Sequence, residues 1–218
     1  MLQTQSVEKS LWNFIKDLQG KEILRDYFLV GGTALSLQIG HRISHDIDLF
    51  TRDDINKDDI LSLLNKDYNG KYQLHNIQKM ILQISINDIK IDFVKYNYNL
   101  IEDIKSEEEI RLLGIKDISA MKLMAIANRD EQAKDFIYVF YLLKEMELKD
   151  MFEYYKLKFR QSDINPIKRS LVYFDDVTES NWLSVRLLKD DFSIDNVKQT
   201  LIEKMNEYNK KSLRKYYG

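Results

Sequence analysis

At 218 residues and 26.0 kDa the chain has room for one large domain or two small ones, and its 44% hydrophobic content, with 13 tyrosines and 10 phenylalanines, can fill a core. The absence of cysteine excludes a disulfide framework and a thiolate metal site, and a net charge of −2 excludes a generally basic nucleic-acid coat. No apolar run approaches transmembrane length, and Met1 to Ser6 has no basic segment leading into an apolar one, so no membrane attachment and a cytoplasmic location are expected.

In chain order, Val7, Leu11, Phe14, Ile15 and Leu18 recur at helical spacing, which predicts a helix over 6–18 ended by Gly20. Tyr27 to Val30 reads as a buried strand, Gly31 and Gly32 as a tight turn, and Thr33 to Ile39 as a short helix. Backbone N–H groups at such a turn can cradle a phosphate, helped by the positive end of the helix dipole. The next strand carries Asp46 and Asp48, one residue apart and therefore on one face, with Ile47 and Leu49 on the other. Two carboxylates so placed repel each other, and a divalent cation is the simplest thing to offset that.

A helix over 53–66 follows, with Asp53, Asp54, Asp58 and Asp59 complementing its dipole. Then comes a β-meander: 72–77, 80–86, a turn at Asn87-Asp88, and 89–96. In its last strand Asp92 lies opposite the large apolar residues, either facing solvent or paired with Lys90 or Lys95. Glu107 to Glu109 reads as a solvated charge run. Asp117 can cap a helix to Ala127, with Lys122 and Arg129 on one face, and a second helix runs over 131–146 with Lys134 and Asp135 at its start.

Helices are also predicted over 148–160, after Asn165-Pro166, and after Ser193, the last with Val197, Leu201, Ile202 and Met205 inward. Asp175 and Asp176 read as structural. The basic, aromatic tail, Lys210 to Tyr217, either touches RNA phosphates and bases or is a frayed charged end. The three histidines, His41, His45 and His75, are not spaced as zinc ligands.

Gly31-Gly32-Thr33-Ala34-Leu35, followed by Gly40-His41-Arg42, Ser44 and Asp46-Ile47-Asp48-Leu49, resembles the signature of nucleotidyltransferases of the AbiEii/AbiGii toxin family, in the polymerase-beta-like superfamily. The resemblance implies an α+β fold: a nucleotidyltransferase domain with a small mixed sheet over 1–114, a helical domain over 115–218, and an active site in the cleft between them. It makes Asp92 the third metal-binding acid. It also extends to Asp117, Lys122, Arg129 and the Lys134-Asp135 pair, with Lys122 facing the nucleotide phosphates and Lys134-Asp135 approaching the reaction centre, and to Ser170 to Asp176 with Glu179. Tyr138 departs from the family pattern, which places a second acid there.

The implied reaction transfers a nucleotidyl group from an NTP with Mg²⁺, or Mn²⁺ in its stead, on Asp46, Asp48 and Asp92. Oxygen-only ligands select such hard cations, and two ions roughly 3.5–4 Å apart would serve attacking and leaving oxygens. Gly31, Gly32 and Thr33 would hold the triphosphate, Arg42 and Ser44 would brace the loop or the phosphates, and Lys122 and Lys134 would add positive charge. The acceptor implied is an RNA hydroxyl such as a tRNA 3′ end, and the partner a cognate antitoxin. Transfer to a small molecule or a protein, and a catalytically inactive binding module, are the competing readings.

Overall fold

The computed structural model describes residues 1–128, 132–189 and 192–217. Two compact units make up the chain: Met1–Tyr98 with Asp103–Gly114, and Asn99–Glu102 with Ile115–Gly218.

The first unit is built on a seven-stranded mixed sheet, wider than the sequence suggests, in the order β3-β4-β5-β2-β1-β7-β6. Its strands are β1 (Phe28–Leu29), β2 (Ile47–Thr51), β3 (Tyr72–Gln78), β4 (Ile81–Ile86), β5 (Ile89–Lys95), β6 (Lys105–Glu107) and β7 (Ile110–Leu112). The helices of this unit are α1 (Lys9–Gly20), α2 (Gly31–Ile39) and α3 (Lys57–Asp67). Ile15, Leu18, Leu29, Leu35, Leu37, Ile47, Leu49, Leu82 and Ile91 form its core, each at most 1% exposed. Burying such a side chain contributes roughly 1.5–3 kcal/mol.

β3, β4 and β5 form the predicted meander, and Asn87 and Asp88 take φ of 48° and 67°, the left-handed pair a two-residue hairpin turn requires. A second, unpredicted hairpin contains Glu107 to Glu109, whose last two residues are exposed as a charge run in solvent would be. Glu108 and Glu109 are the turn (φ 53° and 69°) between β6 and β7. Their carboxylates are engaged: Glu108 accepts from the Leu2 amide at 3.3 Å and Glu109 pairs with Lys16, while Glu107 holds the N-terminal amine at 2.6 Å. On β7, Arg111 donates to the carbonyls of Gln19 (2.8 Å), Leu24 (3.0 Å) and Tyr27 (3.0 Å), and burial holds its guanidinium below the ordinary range.

Three boundaries also differ. Ser6 lies outside α1, because its carbonyl accepts from the Ser44 amide (2.9 Å) in a short bridge, and α1 includes Gly20, with Lys21 as its C-cap. α3 starts late, since Asn56 caps it by accepting from the Asp59 amide. Asp58 and Asp59 therefore sit in its first turn, but Asp53 and Asp54 precede it, and Asp54 instead pairs with Lys95 at 2.6 Å.

The described helices of the second unit are α4 (Ile115–Asn128), α5 (Gln132–Leu142), α6 (Leu148–Phe159), α7 (Asn165–Ser170), α8 (Glu179–Leu183) and α9 (Ile194–Tyr217). Proline opens α7 as its fixed φ allows, and Ser193 caps α9 by accepting from the Asn196 amide at 3.0 Å. Ile202 is 40% exposed, so only Val197, Leu201 and Met205 of the predicted four face the core. Asp117 is no N-cap. It is fully buried in the first turn of α4, pairs with Lys158 of α6, and accepts from the amides of Ile101 and Glu102 at 3.0–3.1 Å.

Candidate active site

The first unit places two acids side by side. β2 and β5 run parallel, and their register sets Asp48 directly opposite Asp92. Ile47 and Leu49 on one strand, and Ile91 and Phe93 on the other, are buried on the opposite face, as strand alternation requires. Asp48 and Asp92 are half-buried. Asp46 is exposed one residue before β2 rather than within it, so its position is set by the loop and not by the sheet. That loop is fastened by Thr33, whose hydroxyl lies 2.7 Å from the buried Ser44 hydroxyl and also donates to the Asp46 carbonyl. Arg42 donates to the Ile43 carbonyl at 2.8 Å.

Gly31 and Gly32 form the first turn of α2 itself rather than a turn before it. Gly31 has φ +67°, and a Cβ built on it would fall 3.0 Å from Asp48 Cγ and overlap Asp48 Oδ2, so the carboxylate lies against the glycine backbone. The Val30 amide is taken by the Asp48 carbonyl (2.9 Å) and the Ala34 amide by the Val30 carbonyl (3.2 Å). Between them, the amides of Gly31, Gly32 and Thr33 are among those that helix geometry leaves without an intrahelical acceptor. The start of α2 thus adjoins the Asp48 carboxylate. A phosphate and a carboxylate can share such a place only with a cation between them.

The donor set fits that cation in chemistry, being oxygen throughout, but it is not a finished cage. Among the described residues no three Asp, Glu, His or Cys side chains are grouped so as to hold a metal. Mg²⁺ is usually bound by one or two carboxylates and completed by substrate phosphates and water, and Asp48 with Asp92 meets that requirement.

In the second unit, Lys122 and Asp135 bond to one another at 2.8 Å, with the Asp135 side chain 3% exposed and that of Lys122 15%. Lys122 Nζ also stands 4.3 Å from the centre of the Tyr138 ring. The residue that departs from the family's acid therefore faces the lysine with the negative face of an aromatic ring. Lys134 is half-buried beside Asp135 on α5. Arg129 lies outside the described residues, as do the side chains of the tail beyond Ser212. Sequence reasoning missed Gln83, which donates to Asp92 at 2.9 Å, and Lys158, whose buried ammonium is pushed down by desolvation against the opposing pull of Asp117. A polar residue at a strand position facing Asp92 was the available signal for the first. A lysine on the apolar stripe of α6 was the signal for the second.

The chain is a nucleotidyltransferase. It belongs to the AbiEii nucleotidyl transferase toxin family of Type IV toxin–antitoxin systems, whose family model matches residues 18–210. An uncharacterised protein of Aquifex aeolicus (strain VF5) is 34% identical over 161 residues, covering 72% of this chain and 78% of that one. An H. pylori protein solved as a candidate nucleotidyltransferase superposes with a TM-score of 0.56 at 18% identity, over 93% of each chain. The nucleotidyltransferase toxin MenT4 of Mycobacterium tuberculosis gives 0.56 at 11% identity, over 90% of this chain and 80% of that one. At these identities the two structural likenesses are of fold. Among the described residues no helix is long and apolar enough to cross a membrane.

Proposed function

We propose that the chain transfers a nucleoside monophosphate from an NTP to an RNA hydroxyl, a tRNA 3′ end being the first candidate, with Asp48 and Asp92 as the central acids. The observation that carries this is the facing pair Asp48 and Asp92, set against the left-handed Gly31 at the head of α2. A Mg²⁺ or Mn²⁺ ion held there by Asp48 and Asp92, its shell completed by substrate phosphates and water, would supply charge neutralisation for the phosphates and acidify the attacking hydroxyl. The amides of Gly31, Gly32 and Thr33 orient the triphosphate, while the Thr33–Ser44 contact and Arg42 keep the loop in place. Asp92 is turned toward the acceptor, and its Oδ1 is the oxygen left over once Gln83 has engaged Oδ2. The acceptor hydroxyl gives its proton to Asp92, the new bond joins the acceptor oxygen to the α-phosphorus, the bond to the β-phosphate bridge breaks, and pyrophosphate leaves. Within the second unit, Asp135 fixes Lys122, and Lys134 neighbours that pair on α5. A cognate antitoxin and a cytoplasmic setting belong to the same reading.

The test is incorporation of each α-labelled NTP, with Mg²⁺, into total deproteinised RNA by the native chain and by an Asp46→Ala, Asp48→Ala variant. Label in a tRNA-sized band from the native chain alone is the expected result. Label in protein or in small molecules but not in RNA would move the acceptor to those classes and overturn the RNA assignment.

A further inference from the structure

On the face of the sheet that carries the acids, four polar side chains stand in one row across four strands. The pairings Asn76 with Gln83, Gln83 with Asp92 and Asp92 with Asp48 join β3, β4, β5 and β2 in sequence. Asn76 Nδ2 donates to Gln83 Oε1 at 3.0 Å, and Gln83 Nε2 donates to Asp92 Oδ2 at 2.9 Å. All four residues are half-buried, in a sheet whose other face holds Leu82, Ile84, Ile91 and Phe93.

The position of Asn76 in this row depends on an irregularity. The pairing of β3 with β4 shifts between Leu74 and Asn76, so that Leu74 lies beside Ile84 but Asn76 lies beside Gln83. In a regular strand, residues 74 and 76 would share a face. The extra residue turns Asn76 to the side of the acids, a re-aiming that bulges near functional sites commonly perform. His75, at the bulge, is anchored by a 2.8 Å contact between its Nε2 and the Ser85 hydroxyl.

The direction of every bond in the row follows from its one fixed member. An ionised carboxylate only accepts, so the Gln83 amide must present its nitrogen to Asp92 and its oxygen to Asn76, and Asn76 must answer with its nitrogen. We infer that Asn76 and Gln83 are positioning residues for Asp92: Gln83 fixes the carboxylate's rotation, and Asn76 fixes which way Gln83 points. This rests on the role proposed above for Asp92. Partners that orient a ligating side chain in this way are typically worth about 10–100-fold in metal affinity or activity.

Replacing Asn76 by Asp frustrates the row. Asp at that position can only accept, so the Gln83 amide can donate to one carboxylate only by turning its oxygen against the other, whereas Asn76→Ala merely releases Gln83. The first experiment uses the metal-free chain: ¹⁵N NMR of the Gln83 side-chain amide, assigned by its loss in Gln83→Leu. Asp92→Ala and Asn76→Asp should each shift that signal, and a signal indifferent to both overturns the inference. The second measures transfer from α-labelled NTP. Asn76→Asp should lower kcat about 10–100-fold and by more than Asn76→Ala, with neither substitution adding to the loss in a Gln83→Leu background. Equal effects with and without Gln83 would show that Asn76 acts otherwise and would also overturn it. A native chain that transfers nothing from any NTP would remove the proposed function, while the NMR result would still decide the row.

Discussion

Gly31 can be tested against a control the chain itself supplies. Gly31 and Gly70 have nearly the same left-handed backbone, φ +67° and +71°, but a Cβ at Gly70 meets nothing within 4 Å while one at Gly31 runs into the Asp48 carboxylate. An alanine in this conformation costs about 1–2 kcal/mol at either position. Urea denaturation of Gly31→Ala and Gly70→Ala should therefore show that loss as a common component. The difference lies in what Asp48 must do. To reach ordinary contact distance its carboxylate has to move by on the order of 1 Å, and a displacement of that size at a reacting centre costs about 10²-fold in rate. In assays of NTP transfer, and of NTP binding with Mg²⁺ by calorimetry, Gly70→Ala should match the native chain while Gly31→Ala loses about 10²-fold in turnover. Equal activity of the two variants, at equal stability loss, would refute the placement of Asp48 against Gly31 as a functional contact.

Lys158→Met leaves Asp117 buried with only its two backbone donors, and should cost about 3–5 kcal/mol by urea denaturation, with much of it recovered in the double variant Asp117→Asn, Lys158→Met. Tyr138→Leu should lower stability by about 0.5–2 kcal/mol relative to Tyr138→Phe, which keeps a ring under Lys122; identical melting curves would contradict the contact. Tyr27 has its phenol pushed up to about 12 from 10.0, chiefly by burial and next by the charge of Asp53. Between those values the unfolded chain has released this proton while the folded chain keeps it, so the contribution is complete below pH 10.0 and is lost as pH rises through about 12. The native chain should therefore lose stability more steeply than Tyr27→Phe across that window, as followed by denaturation at fixed pH steps.

Where local chemistry alone decides, the sequence was sufficient. The meander could be read because Asn87-Asp88 tolerates positive φ and the flanking residues alternate, and the same period of two set Asp92 on the face away from Ile91 and Phe93, while its place opposite Asp48 comes from the sheet register. β6 and β7 were hidden because three residues each cannot display a period, and because an acidic hairpin turn has the composition of a solvated run. Asp117 was misread for a different reason. A carboxylate near a helix start suits a cap, and only the fold shows that Lys158, 41 residues on, is its partner. Lys122 and Asp135 were both visible as charges, but sequence spacing does not reveal that each neutralises the other. Likewise Asn76 and Gln83 belong to strands read correctly, yet the bulge that aligns them with Asp92 leaves no mark in the pattern of apolar residues.

The most direct test of nucleotidyl transfer on Asp48 and Asp92 runs paired reactions with α-labelled and γ-labelled NTP on the native chain, Asp48→Asn and Asp92→Asn. Label from the α position should enter the acceptor while label from the γ position leaves as pyrophosphate, and either Asn variant should lose the transfer by orders of magnitude while staying folded. Label entering the acceptor from the γ position, or Asn variants as active as the native chain, would contradict it.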